Sequence, residues 1–368
     1  MTTFSSRVAQ PSSTRNHSSL ALRLSGMFGC SIIQKSSVKV GKIQKIFITH
    51  THGERPYIRV IPLLAMRLNG AGGMVDGAED PRTSTATPWE LCRSTASGTR
   101  AYVRAGLLYT HTLLGAPYAV HELRLASDPP EGDHTALPPH VMERPGRNIV
   151  QDAEGAWPEI FADPLVTVSA APILHSVPCV GFVVAERPIP GKMDPKKYLQ
   201  ELKRTGTPMS VMSQLQRGEA VTLKDGTVLR GPERQPGRKI VILGDTYDPS
   251  PIARLAEDAC LLIHEATNAH LPGVDPSTKT EDTYLSVEER TKSRGHSTPQ
   301  MAGVFGKRIR ARKLLLNHFS ARYAGDVDTN EESRKIMDAI RGLAESTFEG
   351  EVVCATDLMS VDVRPRRD

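Results

Sequence analysis

A mixed α/β layered fold is predicted by three features of the sequence. Short β-rich runs alternate with helix-spaced amphipathic stretches along most of the chain. Two of these runs (KIVIL past its lysine, and CLLI) are continuously apolar, as in strands covered on both faces. The same runs end in polar clusters containing His or Asp, the pattern of side chains presented at strand ends by a rigid scaffold.

The first clear strand covers residues 45–49 (KIFIT) and runs into His50. Ile61, Leu64, Ala65 and Leu68 recur at helical spacing, so a helix follows. Residues 69–87, rich in Gly, Ala and Thr, read as a surface insertion. A second helix is expected over 99–114 and a strand over 118–123, followed by a polar, proline-rich loop at 126–146. Strands over 165–171 and 180–185 flank His175. A short amphipathic helix spans 195–204, and 220–229 is a hairpin turning at Asp225-Gly226. Apolar strands at 239–243 and 260–263 end at Gly244-Asp245 and at His264-Glu265. Residues 297–308 form a helix, with Ser297 as candidate N-cap and Pro299 in the first turn. A strand over 313–316 ends at His318, a helix spans 330–348, and 351–354 is the last strand. No internal repeat is visible.

The 368 residues are 39% apolar, enough for a large core. No run approaches the roughly 18 apolar residues of a membrane span, so a soluble protein without a membrane partner is expected. A net charge of +5 fits a polyanionic partner without specifying one. The five cysteines (Cys30, Cys92, Cys179, Cys260, Cys354) lack CxxC spacing. They point to buried thiols in a reducing compartment, and away from a disulfide framework or a Cys-based zinc site. A cytoplasmic or nuclear location follows. Residues 1–53 hold no Asp or Glu and several Ser and Arg, which makes a mitochondrial transit peptide the alternative.

The residues that carry chemistry are His50, His52, His175, Asp245 and His318. His50 and His52 sit two apart just past a strand, where a loop can turn both imidazoles toward one ion. His and Asp suit Zn²⁺ at roughly 2.0–2.2 Å per bond. Each His taken singly also fits a hydrogen-bonded core or surface residue. As a set, all five lie at the end of an apolar run or in the adjoining turn. His111 and His121 lie on apolar helix and strand patterns and read as packing residues, and His17 reads as structural.

The motifs PSSTRNHSS, ITHTHGER, HSVPCVGF, ILGDT, HEAT, GHSTPQMAG and LNHFSARY occur in one order between Pro11 and about Gly325. ITHTHGER resembles the HxHxDH signature of metallo-β-lactamase-fold hydrolases, and the ordered set resembles the short type of tRNase Z. The resemblance implies a four-layer αββα metallo-β-lactamase-like sandwich with an inserted basic arm. Residues 1–187 and 236–368 would be its two halves and 188–235 the arm. It implies a zinc-dependent endoribonuclease that cuts precursor tRNA on the 3′ side of the discriminator nucleotide, working as a homodimer.

Carried over by position, the family pattern implies a first zinc on His50, His52, His175 and Asp245. Asp245 would bridge to a second zinc, whose other ligands match Glu54, Arg55 and His318. The family has Asp and His at the positions of Glu54 and Arg55, and the Asp also accepts the proton of the attacking water. Arg55 cannot ligate, because its guanidinium stays protonated and has no acceptor. Glu54 can, but it is one methylene longer than Asp. One well-formed zinc site is therefore expected where the family has two. A second departure is MFGCSII at residues 27–33, where the family has a strand and turn of the form LFDCGEGTQ, so a core strand is expected to be missing.

HEAT and HST match family motifs beside the scissile phosphate. His296 is the better proton donor for the leaving ribose oxygen, oriented by Glu265, with His264 as a further catalytic candidate. The alternative is that HEAT packs and caps a strand end. Backbone N–H groups of Ser297 and Thr298 open a helix and could bind phosphate. In the arm, Lys192, Lys196, Lys197, Lys203 and Arg204 suit RNA phosphates, or else form a solvated helix face. Lys307, Arg308, Arg310, Arg312 and Lys313 make a second basic run with the same two readings. Two rival functions stand beside the nuclease. One is a weak or inactive relative that binds tRNA or a partner subunit. The other is a metallo-hydrolase of small esters or thioesters.

Overall fold

The computed structural model describes residues 45–50, 98–323 and 330–366 except positions 113, 115, 134, 189, 190, 192 and 358, with the backbone of residues 2–5, 21–24 and 89–94. His52, Glu54, Arg55, Lys192, the 11–19 motif, the altered segment at 27–33, the helix expected near Ile61 and the insertion at 69–87 lie outside the described residues.

Two seven-stranded sheets form the centre of the molecule. The first contains β1 (Thr2–Ser5), β2 (Ala21–Leu24), β3 (Lys45–Ile48), β4 (Trp89–Ser94), β5 (Tyr118–Arg124), β6 (Glu143–Arg144) and β7 (Asn148–Val150). Its order is β2-β1-β3-β4-β5-β6, with β7 also on β5, and β3, β4 and β5 run parallel. The second contains β8 (Trp157–Ala162), β9 (Val166–Ile173), β10 (Cys179–Glu186), β13 (Lys239–Ile242), β14 (Leu261–Glu265), β15 (Lys313–Asn317) and β16 (Glu351–Cys354), in the order β16-β15-β14-β13-β10-β9-β8. Strands β8 to β10 and β13 pair antiparallel, and β13 to β16 pair parallel.

The apolar strands of the second sheet are covered on both faces, and strand parity decides which face each residue serves. Ile240, Ile242, Leu261, Ile263 and Leu315 pack with Phe47 and Leu123 of the first sheet in the core between the sheets. Val241, Leu262, Leu314 and Leu316 point the other way, toward Ala302 and Phe305 of helix α6 (Pro299–Arg308) and Ile336, Ile340 and Ala344 of α7 (Glu331–Glu345). On the first sheet, α1 (Thr99–Tyr109) buries Val103 and Leu107 and packs on β5. Glu122 of β5 accepts the Arg100 N–H at 3.0 Å and the fully buried Arg124 Nη2 at 2.6 Å. Losing one partner of a buried pair of this kind costs about 3–5 kcal/mol, so this pairing fixes the start of α1 on the end of β5. The result is the four-layer αββα arrangement.

Several boundaries differ from the sequence expectation. Helix α1 stops at Tyr109, because the Thr110 hydroxyl turns back to the Gly106 carbonyl at 2.5 Å and His111 adopts φ 49°. His111 is exposed, which corrects its reading as a packing residue, whereas His121 is buried and accepts the Arg147 N–H at 2.9 Å. Strand β8 contains Pro158 and was not expected. It lies at the sheet edge, with a register shift between Trp157 and Phe161, where a missing N–H costs no ladder bond. Helices α4 (Ala253–Ala256) and α5 (Tyr284–Lys292) were also unexpected; a capping box from Thr283 and Ser286 starts α5. The N-cap of α6 is Thr298, one residue later than Ser297.

Between β10 and β13, the chain leaves the sandwich at Glu186 and returns at Arg238. There the Arg238 guanidinium grips the Glu186 carboxylate and the Arg238 N–H donates to it at 3.0 Å. The intervening segment holds α2 (Pro195–Thr205), the short α3 (Met212–Gln216) and an isolated two-stranded sheet of β11 (Ala220–Thr222) and β12 (Val228–Arg230). Asp194 caps α2, and Gly206 at φ 60° ends it. Among the described residues no helix is long and apolar enough to cross a membrane.

Candidate metal centre

Both sheets deliver side chains to one edge. His50 follows β3 of the first sheet; His175, Asp245 and His318 follow β9, β13 and β15 of the second, and Glu265 ends β14. The Val180 N–H donates to the Thr49 carbonyl at 3.0 Å and stitches the two sheets together beside His50. Gly244 is required at this junction, since a Cβ there would lie 2.7 Å from Thr49 Cβ and 2.6 Å from Cys179 Sγ. Thr246 donates its hydroxyl to the Leu174 carbonyl at 2.8 Å, which ties the Asp245 loop to the His175 loop.

Two overlapping donor groups result. Ligating atoms of His50, His175 and Asp245 lie within 4.8 Å of one another, and so do those of Asp245, His296 and His318. Asp245 Oδ2 stands 3.4 Å from His50 Nε2 and 3.2 Å from His318 Nε2. Two ligands at a tetrahedral angle around an ion, with bonds of roughly 2.0–2.1 Å, stand about 3.3 Å apart. The donor set therefore fits a zinc-sized cation at Asp245, and the neutral-imidazole chemistry of the set suits zinc.

The tautomers support this. Because a carbonyl only accepts, the 2.7 Å contact between His175 Nδ1 and the Gly295 oxygen makes Nδ1 the donor and places the lone pair on Nε2. Such outer hydrogen bonds orient metal-binding histidines. Gly295 sits at φ 86°, and a Cβ on it would lie 2.5 Å from His175 Nδ1. Burial lowers the pKa of His175 and keeps it neutral, as a ligand must be. Burial opposes ionisation of Asp245. The hydrogen bond to His50 and the electrostatic influence of the neighbouring His318, His50 and His296 rings outweigh it and hold the carboxyl well below the usual carboxylate range. His318 adopts φ 54°, a strained backbone for a non-glycine residue at the cluster.

Behind the donors, Glu265 is almost fully buried and accepts from four groups. Its oxygens take the Thr246 N–H at 2.6 Å, the Ser297 N–H at 3.2 Å, the Thr267 hydroxyl, and His296 Nδ1 at 3.1 Å. The same logic as for His175 makes Nδ1 of His296 the donor, with the Nε2 lone pair on the other side of the ring. The same Thr267 hydroxyl oxygen lies 3.0 Å from the His318 carbonyl, so its single proton is placed between Glu265 and the last ligand loop. Thr246, Thr267 and Gly295 were not singled out from the sequence. Each lies inside a motif that was quoted, and that position is the signal available.

Three expected site residues sit elsewhere. Strand β14 runs through Glu265, two residues past its expected end, pairing His264 with Leu316 and Glu265 with Asn317. Alternation then sends Glu265 to the site and His264 to the helix side, with its ring 6.1 Å from Phe305. His264 is fully buried, and its Nδ1 donates to the Glu265 carbonyl at 2.7 Å, which corrects its reading as catalytic. Ser297 and Thr298 are also fully buried. Their N–H groups are taken by Glu265 and by Met301 Sδ at 3.4 Å, so neither is presented to a phosphate.

On the arm, Lys196, Lys197 and Lys203 are exposed, as expected. Arg204 is exposed but pairs with Glu201 at 2.7 Å and Asp225 at 2.5 Å. The second basic run leads into the start of β15, at the end away from His318, and three of its five cations face carboxylates. Lys307 and Lys313 pair with Glu349 and Glu351, Arg310 pairs with Asp258, and Arg308 and Arg312 bond Ser250 and the Pro365 carbonyl.

No family model matches the chain. Individual relatives do. The chain is 33% identical to bovine zinc phosphodiesterase ELAC protein 1 over 387 aligned positions, which cover 96% of each protein. It is 30% identical to ribonuclease Z of Bacillus subtilis, covering 86% of each. Among solved structures, human tRNase Z, short form, superposes with a TM-score of 0.53 at 27% identity over 99% of both chains. The chain therefore belongs to the ribonuclease Z family, of the metallo-β-lactamase fold.

Proposed function

We propose that this chain is a zinc-dependent endoribonuclease that removes the 3′ trailer from precursor tRNA. The observation that carries the reading is the convergence of His50, His175, Asp245 and His318 on one edge, with the Glu265–His296 pair beside them. Relatives named ribonuclease Z and zinc phosphodiesterase support it.

His50, His52, His175 and Asp245 would hold one zinc, which when bound supplies an activated water and positive charge beside the phosphate. Glu54 is the proposed acceptor of the water's proton. Glu265 holds His296 by Nδ1, so the imidazolium form would carry its second proton on Nε2 and deliver it to the leaving ribose oxygen, leaving the neutral Nδ1–H ring on Glu265, an effect typically worth about 10²–10⁴-fold. His264, Ser297 and Thr298 act here as packing and positioning residues.

Residues 188–235 are proposed as the tRNA-gripping arm, and assembly as a homodimer belongs to the same reading. Deleting 194–232, with the Glu186–Arg238 clamp retained, should remove most tRNA affinity and the steep weakening of that binding by salt. Hydrolysis of a small phosphodiester by the deletion variant should persist. Filter binding across a salt series checks this, and parent-like affinity in the deletion variant would end the arm assignment. A second reading, a tRNA-binding relative with weak or no activity, is favoured by Arg55 at a ligand position.

A further inference from the structure

Two legs of chain carry the arm, and the contacts between them make a stalk. The Arg238 guanidinium closes its base on Glu186. Next along the legs, the Pro188 carbonyl accepts Arg234 Nε at 3.1 Å. The legs run so close that a Cβ on Gly191 would meet the Glu233 carbonyl, and one on Gly237 the Glu186 carbonyl. Each leg is also tied to the sandwich. Arg187, on the outgoing leg, donates its N–H to the Leu165 carbonyl at 2.9 Å and its Nε to the Asp163 carbonyl at 2.8 Å.

The returning leg is tied to the residues that follow β16. Met359 and Val361 pack against the core between the sheets, and Val363 is buried in it. The Val363 carbonyl accepts Arg238 Nη1 at 3.5 Å, from the same guanidinium that holds Glu186. Two further contacts pin this segment. The Pro365 carbonyl accepts Arg312 Nη1 at 3.0 Å, and Arg366 Nη1 donates to the Arg310 carbonyl at 3.0 Å and pairs with Asp258 at 3.1 Å. Arg238 and Arg312 precede β13 and β15, whereas Asp245 and His318 follow them. The segment therefore grips the strand ends opposite the candidate metal centre.

We propose that residues 359–366 are a strap that sets the position of the arm, with Arg238 as the positioning residue that joins strap to stalk. The strap rests on these contacts alone; its consequence for tRNA rests on the arm reading given above. A binding element held in one arrangement spares the cost of ordering it on binding. Arg suits the joint because its planar fork serves two acceptors at once, whereas Lys offers a point charge.

The test removes residues 363–368, in the parent and in the 194–232 deletion variant, and sets Arg238→Lys beside them. The shortened chain keeps Met359 and Val361 in the core, and circular dichroism confirms folding. Amide exchange in the stalk, over 186–191 and 234–238, should rise at least about 10-fold, while the centres of β13 to β15 exchange as before. Affinity for tRNA by filter binding should fall at least about 10-fold, and hydrolysis of a small phosphodiester should keep its kcat and KM. Arg238→Lys should repeat the pattern in smaller measure. In the deletion variant, removing 363–368 should cost no further tRNA affinity, because both changes act through one element. Unchanged stalk exchange overturns the strap. Faster exchange with parent-like tRNA affinity overturns its role in positioning. Equal losses on both substrates would show general structural support, and a further loss in the deletion variant would show direct contact of 363–368 with RNA; either also overturns the positioning. If the arm deletion itself leaves tRNA affinity intact, the arm reading fails and stalk exchange alone decides the strap.

Discussion

Replacing Glu54 by Asp and Arg55 by His together is expected to raise precursor-tRNA cleavage by at least about 10²–10³-fold. The family pattern has a metal ligand at position 55, and the Arg55 guanidinium has no acceptor for a cation. Glu54 carries its carboxylate one methylene too far, and productive geometry tolerates only about 0.5 Å of misplacement. Under the proposed ligand assignment, the double change would restore the family's second donor set with Asp245 and His318. The rate factor is that of one lost electrostatic stabiliser, for which an oxyanion-hole donor is the measured comparison. Single-turnover cleavage at matched zinc, after circular dichroism confirms folding, reads the effect. A folded variant that binds two zinc ions and cleaves no faster would show that positions 54 and 55 do not limit the reaction.

His296→Asn is expected to lower single-turnover cleavage by about 10²–10⁴-fold, with tRNA affinity nearly unchanged. Asn can still donate to Glu265, so the buried carboxylate keeps a partner and the fold is spared. What goes is Nε2, the proposed proton donor. A variant that loses tRNA affinity in proportion to rate would point to a binding role for His296. Unchanged cleavage would remove it from the mechanism.

Much of this site could be read from strand ends in the sequence. His50, His175, Asp245 and His318 each follow an apolar run, and the structure gathers all four. The reading failed where one residue of register decides. His264 and Glu265 are adjacent, yet β14 continues through both, so alternation sends one to the site and the other to the helices. Ser297 and Thr298 failed for a related reason. Both residues open a helix, but Glu265 and Met301 take their N–H groups first. Strand β8 was hidden because Pro158 argues against a strand everywhere except at an edge. For Arg204 and the run from Lys307 to Lys313 the sequence shows the cations but not their neighbours, and the structure adds carboxylates beside Arg204, Lys307, Arg310 and Lys313 without deciding between a phosphate contact and a solvated face.

The most direct measurement is to incubate the purified protein, loaded with one equivalent of zinc, with a 3′-extended precursor tRNA and map the new ends at nucleotide resolution. The account predicts one cut, on the 3′ side of the discriminator nucleotide, abolished by a chelator and restored by zinc. Intact precursor at every zinc level, or scattered cuts that ignore the chelator, would contradict it.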